Sequence, residues 1–325
     1  MVAIADSNEI ARGEAALLLD ESATVAVDYR KLDPSTFDAV VLATPNFTHL
    51  AVLKHVLAWQ KHLLVEKPLC TSVADCYAVQ ALVEAQVEAV QPPSRPPIFW
   101  VGMEYRYMPP VAKLLSIVDS GKLGALKMVS IREHRFPFLL KVDDWNRFSH
   151  FTGGTLVEKC CHFWDLMRRI VGAGPGSEAT KVFASGGMDV NHLDERYDAS
   201  RAQRAQDLDA DGNSSTATSA QAEATAQPDI VDNAFVIVEF AGGVRCCLDL
   251  CMFAEDRQHE EVSVVGSWGK VHAEAPQCVV THHTPTQRAS GTELRNSRTP
   301  PQLGTYEANV EVWFQNTTGE GHCVE

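Results

Sequence analysis

The feature that most narrows the fold is an alternation in the first hundred residues, where short apolar runs take turns with stretches of helical periodicity. "MVAIAD", "DAVVLAT", "HLLVEKP" and "PIFWVGMEY" have strand length and almost no polar interruption. Between them lie "NEIARGEAALLLD", with Ile10, Leu17 and Leu18 on one side, "FTHLAVLKHVLAWQ", and "SVADCYAVQALVEAQ", which Ser72 opens as an N-cap. Strands alternating with helices of this length predict βαβ units and a parallel sheet with both faces covered, an α/β arrangement.

After Tyr107 the pattern changes. "PPVAKLLSIVDSGKLG" predicts a helix with Pro at its start and Gly at its end, and "ALKMVSIREHRF" alternates like a half-buried antiparallel strand. From residue 228 strands dominate: "NAFVIVEFAGGVRCCLDLCMF" reads as two joined at Gly242-Gly243, and "EEVSVVGSWGKVHAEA" as two more around Gly266 to Gly269. A length of 325 residues suits two cores. The division expected is 1–107 for the parallel domain and 108–325 for an α+β domain with a mostly antiparallel sheet. Residues 196–228, rich in Ala, Gln, Ser, Thr and Asp, form a low-complexity insertion that need not fold. The tail after 283 is patternless until "NVEVWFQ", a candidate last strand.

Bulk properties exclude some classes. A net charge of -14 and a pI near 5.3 repel phosphate backbones, and no basic stripe offsets them, so nucleic acid is not an expected partner. Nine Cys, with two pairs adjacent in sequence, do not make the even, spaced pattern of a secreted disulfide framework. No apolar run approaches the ~18 residues that cross a bilayer, and the N-terminus lacks a basic leader. The expectation is a soluble, cytoplasmic protein without a membrane partner.

Chemistry concentrates in two places. Ligands of an open parallel sheet bind at the carboxyl ends of its strands, which puts Asp6, Thr44-Pro45-Asn46 and Glu66-Lys67-Pro68 at one edge. Asp6 suits a ribose diol and equally a solvated turn. Lys67, fixed by Pro68 at the end of a buried strand, suits a substrate oxygen, with a surface turn as the alternative. The second place is "GGTLVEKCCHFWDLMRR", residues 153 to 169, which holds a carboxylate, an ammonium, two thiols and an imidazole. A metal site, a thiol nucleophile and an acid/base pair all compete there. On a helix Cys160 and Cys161 diverge by about 100°, which disfavours joint metal ligation. Glu158 and His162, four apart, would face the same way, so the carboxylate could hold the imidazole's tautomer.

Taken in order, "VVLATPNFTHLAVLKHVLAWQKH", "HLLVEKPLCTSVADC", "GMEYRYMPPVAKLLSIVDSGKLGALKMV" and "GGTLVEKCCHFWDLMR" resemble the Gfo/Idh/MocA oxidoreductases, and the likeness resumes at 231 to 272. The resemblance implies an N-terminal Rossmann domain, doubly wound, followed by an α+β domain with a mostly antiparallel sheet. It implies hydride transfer between NAD(P) and a secondary hydroxyl of a sugar, polyol or cyclitol. The family's E-K-P lysine falls on Lys67, its catalytic histidine on His162, and its Asp position on Glu158. By the same resemblance Asp6, Thr44, Pro45, Asn46, His49, Glu66 and Lys67 surround the cofactor. Asp165 falls on a carboxylate that contacts substrate hydroxyls, and Arg106 is a candidate substrate or interdomain contact. NAD is favoured over NADP because Asp6 would repel a 2′-phosphate, although Ser7 and Arg12 are near enough in sequence to accept one. A homodimer or homotetramer is implied on the same basis.

The chain also departs from the family. It opens on the family's second strand, without the first strand and its Gly-x-Gly-x-x-Gly loop, so an upstream strand, loop and helix are expected in the native protein. The alternative is a non-catalytic relative that binds a sugar-like ligand or a partner without nucleotide. Glu158 for Asp and Cys160 for the usual Gly put the substrate in doubt more than the reaction class.

Overall fold

In the computed structural model the chain divides into two units, across described residues 1–90, 95–139, 141–198, 225–254, 258–275, 277–285 and 306–312. The first unit holds Met1–Gly102 and His150–Gly153, and the second holds the remaining described residues from Met103. The insertion predicted at 196–228 lies mostly outside the described residues.

The first unit follows the predicted alternation: β1 (Ala3–Ala5), α1 (Glu9–Ala16), β2 (Thr24–Ala26), β3 (Ala39–Leu42), α2 (His49–Val56), β4 (His62–Val65), α3 (Val73–Glu88) and β5 (Phe99–Val101). β2 was not foreseen, because three residues are too few to show a period. Every ladder is parallel, but β1 pairs only with β2, while β3, β4 and β5 form a separate sheet.

Side chains alternate across that three-stranded sheet. Leu42, Leu63 and Val65 point into a core with Val52, Leu53 and Val56 of α2 and Val79 of α3. On the other face Val41, Leu64 and Trp100 pair in register across all three strands at 66%, 37% and 48% exposure. The expectation of a parallel sheet covered on both faces is therefore met on one face among the described residues. The strands are apolar enough for two-sided burial, but both packed helices lie on the same side. α1 also ends sooner than predicted. Asn8 caps it, yet Leu17 and Leu18 fall beyond its last turn and, with Ile10, are exposed. A helix of eight residues with no buried face gains nothing from packing to extend it.

The second unit begins with α4 (Pro109–Asp119) and β6 (Leu126–His134). Next come α5 (Ser149–Thr152, largely counted with the first unit), α6 (Thr155–Glu158), α7 (Cys161–Val171) and β7 (Ala179–Gly187). A small ladder follows between β8 (Tyr197–Asp198) and β9 (Thr225–Ala226). Then come β10 (Asn233–Phe240), β11 (Arg245–Cys251), β12 (His259–Gly266), β13 (Lys270–Ala275), β14 (Val279–Pro285) and β15 (Tyr306–Val312).

Eight of these strands make one sheet in the order β15-β14-β13-β12-β6-β11-β10-β7, antiparallel throughout except between β6 and β11. One face buries Val129, Ile131, Val236, Leu248 and Val264 against α4 and α7. α7 presents Phe163, Leu166, Met167 and Ile170, a spacing of i, i+3, i+4 and i+7 that puts all four on one side. His162 is carried on the same helix and so is fixed by that packing. No helix among the described residues is long and apolar enough to cross a membrane.

Candidate active site

β3 and β4 run parallel in register, so the segments that follow them leave the sheet at one edge. After β3 the chain passes Thr44 and Pro45 into a tight turn at Asn46–Thr48. There the Thr48 hydroxyl donates to the Pro45 carbonyl at 2.7 Å and lies 2.7 Å from the Thr44 hydroxyl. After β4 come Glu66, Lys67 and Pro68, with a cis Lys67–Pro68 peptide. Glu66 N–H donates to the Leu42 carbonyl at 2.8 Å, which ties the two strand ends together.

His49, fully buried at the start of α2, sits between the two segments. Its Nε2 is 2.9 Å from the Thr44 carbonyl, and its Nδ1 is 3.0 and 3.1 Å from the carbonyls of Pro68 and Leu69. The residue expected near a cofactor thus fastens the loops that carry Thr44 and Lys67. His49→Ala removes the buried ring N–H and the packing between these segments and is expected to cost about 1–3 kcal/mol, read from the urea midpoint at unchanged slope.

The other edge residues are arranged around open chemistry. The Lys67 N–H donates to Glu66 Oε2 at 3.3 Å, while its ammonium forms no ion pair among the described residues. The Asn46 side-chain Nδ2 is buried with no partner among them, a donor waiting for an acceptor. Asp6, just past β1, accepts from Asn8 N–H at 2.8 Å through Oδ1, and Arg12 Nη1 donates to its carbonyl at 2.7 Å.

Gly153 and Gly154 lead into α6 at φ of 79° and 85°, the left-handed region that glycine occupies freely. The single helix expected through Glu158 and His162 is interrupted. α6 stops at Glu158, α7 starts at Cys161, and Cys160 N–H reaches back five residues to the Thr155 carbonyl at 3.2 Å. This wide turn lets Lys159 point inward, where its ammonium lies 3.0 Å from Glu133. A simple four-residue spacing from Glu158 to His162 therefore does not apply.

The carboxylate found at the imidazole comes from elsewhere. Glu104 Oε1 lies 3.4 Å from His162 Nε2. His162 is 1% exposed and Glu104 is 52% exposed at its side chain, so the pair runs from the interior toward solvent. Glu104 occurs in "GMEYRYMPP", but no periodicity links positions 104 and 162, and sequence reasoning missed it. Arg106, two residues on, forms a two-pronged ion pair with Asp165 of α7: Nε donates to Oδ2 at 2.5 Å and Nη2 donates to Oδ1. That hydrogen bonding raises the hold of Arg106 on its proton. The two residues expected to meet substrate thus meet each other. Cys160 is completely buried and its thiol is pushed well up by that burial, a protonated core group. Cys161 donates from Sγ to the Glu158 carbonyl at 3.4 Å.

A unit of parallel ladders with polar groups at strand carboxyl ends, followed by an α/β unit with a buried histidine, is a two-domain α/β architecture. The chain belongs to the Gfo/Idh/MocA oxidoreductase family: residues 1–92 match its NAD-binding Rossmann fold and residues 116–320 its C-terminal alpha/beta domain. Among curated relatives, the uncharacterized oxidoreductase YrbE of Bacillus subtilis is 28% identical over 169 residues, covering 51% of this chain and 44% of YrbE. An inositol 2-dehydrogenase of Salmonella typhimurium is 30% identical over 138 residues, 41% of this chain and 38% of that enzyme. The chain thus spans less than half the length of these relatives. In fold it is similar to levoglucosan dehydrogenase in complex with NADH, with a TM-score of 0.69 at 16% identity over 96% of this chain and 70% of that one.

Proposed function

We propose that the protein is an NAD(P)-dependent dehydrogenase acting on a secondary hydroxyl of a sugar, polyol or cyclitol. The observation that carries this reading is a buried imidazole, His162, connected through Glu104 toward solvent. It is supported by membership of an oxidoreductase family with an NAD-binding domain and by relatives named as inositol dehydrogenases.

The residues of the first unit fit the cofactor at its nicotinamide and ribose end. Asn46 offers an unmatched buried donor, Thr44 and Pro45 line the same edge, and Asp6 suits a ribose diol, which favours NAD. When bound, the nicotinamide supplies a hydride acceptor. His162 takes the hydroxyl proton, and Glu104 passes it outward. The family resemblance gives Lys67 the role of the cation for the forming alkoxide. Glu104 orients the imidazole in the place that the family resemblance gives to Glu158, and the Arg106–Asp165 pair stands near the turn as a charged contact for neighbouring hydroxyls.

The alternative is a non-catalytic relative that binds a sugar-like ligand or a partner without nucleotide. The test is to follow reduced-nicotinamide absorbance with NAD or NADP against a panel of inositols, sugars and linear polyols, and to titrate NADH by calorimetry. Turnover on a polyol is the expected result. Sugar binding with no nucleotide affinity would replace it with the non-catalytic reading.

A further inference from the structure

Behind His162 lies a buried polar cluster that the proposed reaction does not use. Glu133 of β6 and Glu260 of β12 are directly opposed across their ladder, and both side chains turn into the core. Lys159 reaches between them, 3.0 Å from Glu133 and 3.9 Å from Glu260, while Arg135 Nη1 donates to Glu133 at 3.3 Å. The same ammonium donates to the Tyr105 hydroxyl at 2.6 Å. That hydroxyl also accepts from Gln258 Nε2 at 2.7 Å and donates to Glu260. A phenol has one donor and two acceptor sites, and all three are filled.

The ring that this hydroxyl anchors lies flat on the imidazole. The centroids of Tyr105 and His162 are 4.1 Å apart with planes 8° from parallel, and Phe163 closes on Tyr105 edge-on at 5.9 Å. Tyr105 belongs to the short turn Glu104–Tyr107, which also supplies Glu104 to the imidazole and Arg106 to Asp165. One turn therefore delivers a flat floor, a carboxylate and a guanidinium around α7.

We infer that Tyr105 is a positioning residue for His162, transmitting to the imidazole plane the rigidity of the Glu133–Lys159–Glu260 cluster. This rests on the reading of His162 as the base, and the mechanism is geometric. A ring held at its hydroxyl by three partners cannot tilt, and the imidazole stacked on it keeps the plane in which its Nε2 meets a proton. Tyr105 touches no reacting atom in this role.

The test uses the full chain with isotope-labelled histidine, the His162 signal being assigned by its loss in His162→Gln. Tyr105→Leu is expected to shift the His162 ring resonance and move its titration midpoint, with the other histidines unmoved. Tyr105→Phe, which keeps the ring, is expected to retain most of the ring-current shift while broadening the signal. In turnover, the geometric argument predicts a kcat loss of about tenfold for Tyr105→Phe and about a hundredfold for Tyr105→Leu, with KM near its original value. If circular dichroism shows that Tyr105→Leu does not fold, Gln258→Leu removes one anchor and should give the Tyr105→Phe pattern. An unchanged His162 resonance and titration in the folded variants overturns the inference. If His162→Gln keeps full turnover while the resonance still responds to Tyr105, the base assignment falls and the coupling stands.

Discussion

Under the proposed reaction, His162→Gln is expected to lower kcat by about 10²–10⁴ on a polyol substrate, with little change in KM, because a positioned general base acts only as the proton leaves. Glutamine retains a polar group of similar reach but cannot take up the proton. Lys67→Met should lose about 10²–10³ in kcat for the separate reason that the alkoxide is left without its cation. Glu104→Gln is expected to fall between wild type and His162→Gln, since Glu104 exchanges the proton with solvent but does not abstract it from substrate. Steady-state kinetics across the three variants check this ordering. A His162→Gln enzyme with wild-type kcat would remove the imidazole from the chemistry.

What could be read in advance depended on how local each signal was. The alternation that defines the first unit survives in β1, β3, β4 and β5 and their helices, because apolar runs of strand length and helical periodicity are both local signals. The same runs misled about coverage. Val41, Leu64 and Trp100 are as apolar as Leu42 and Val65, and nothing in their order says which face a helix will take. Short motifs were enough to single out Lys67 and His162 as candidates, whereas Glu104 was not singled out, since its meeting with His162 depends on how the turn at 104–107 packs on α7. The break between α6 and α7 was hidden for a related reason. The turn there carries Lys159 toward Glu133, and a contact between residues 26 positions apart leaves no periodicity. Glu133 shares the inward parity of Val129 and Ile131, and Glu260 that of Val262 and Val264, but only the register brings the two opposite each other inside the core.

That buried pair carries the largest expected effect on stability. Glu260 is pushed up to about 7 from the usual 4.5, first by burial and then by Glu133 across the ladder, while Lys159 pulls it down. Between those values the folded chain keeps a proton that the unfolded chain has released. The stability linked to this group is therefore fully present below about pH 4.5 and is lost as pH rises through about 7, a total near 3 kcal/mol at ~1.4 kcal/mol per unit. Glu260→Gln is a neutral mimic of the protonated acid. It should match wild type at pH 4.5 and exceed it by up to about 3 kcal/mol at pH 8, so the difference between the two unfolding curves isolates this one titration. Lys159→Met should act in the opposite direction, costing about 3–5 kcal/mol at pH 8, where two facing carboxylates have lost their cation, and less toward pH 5. Combining the two substitutions should recover a large part of that loss, because one charge of the opposed pair is then gone. Urea denaturation from pH 4.5 to 8 measures all three. Parallel curves for Glu260→Gln and wild type would mean that Glu260 does not hold its proton in the folded state, and that Lys159 fully compensates both carboxylates.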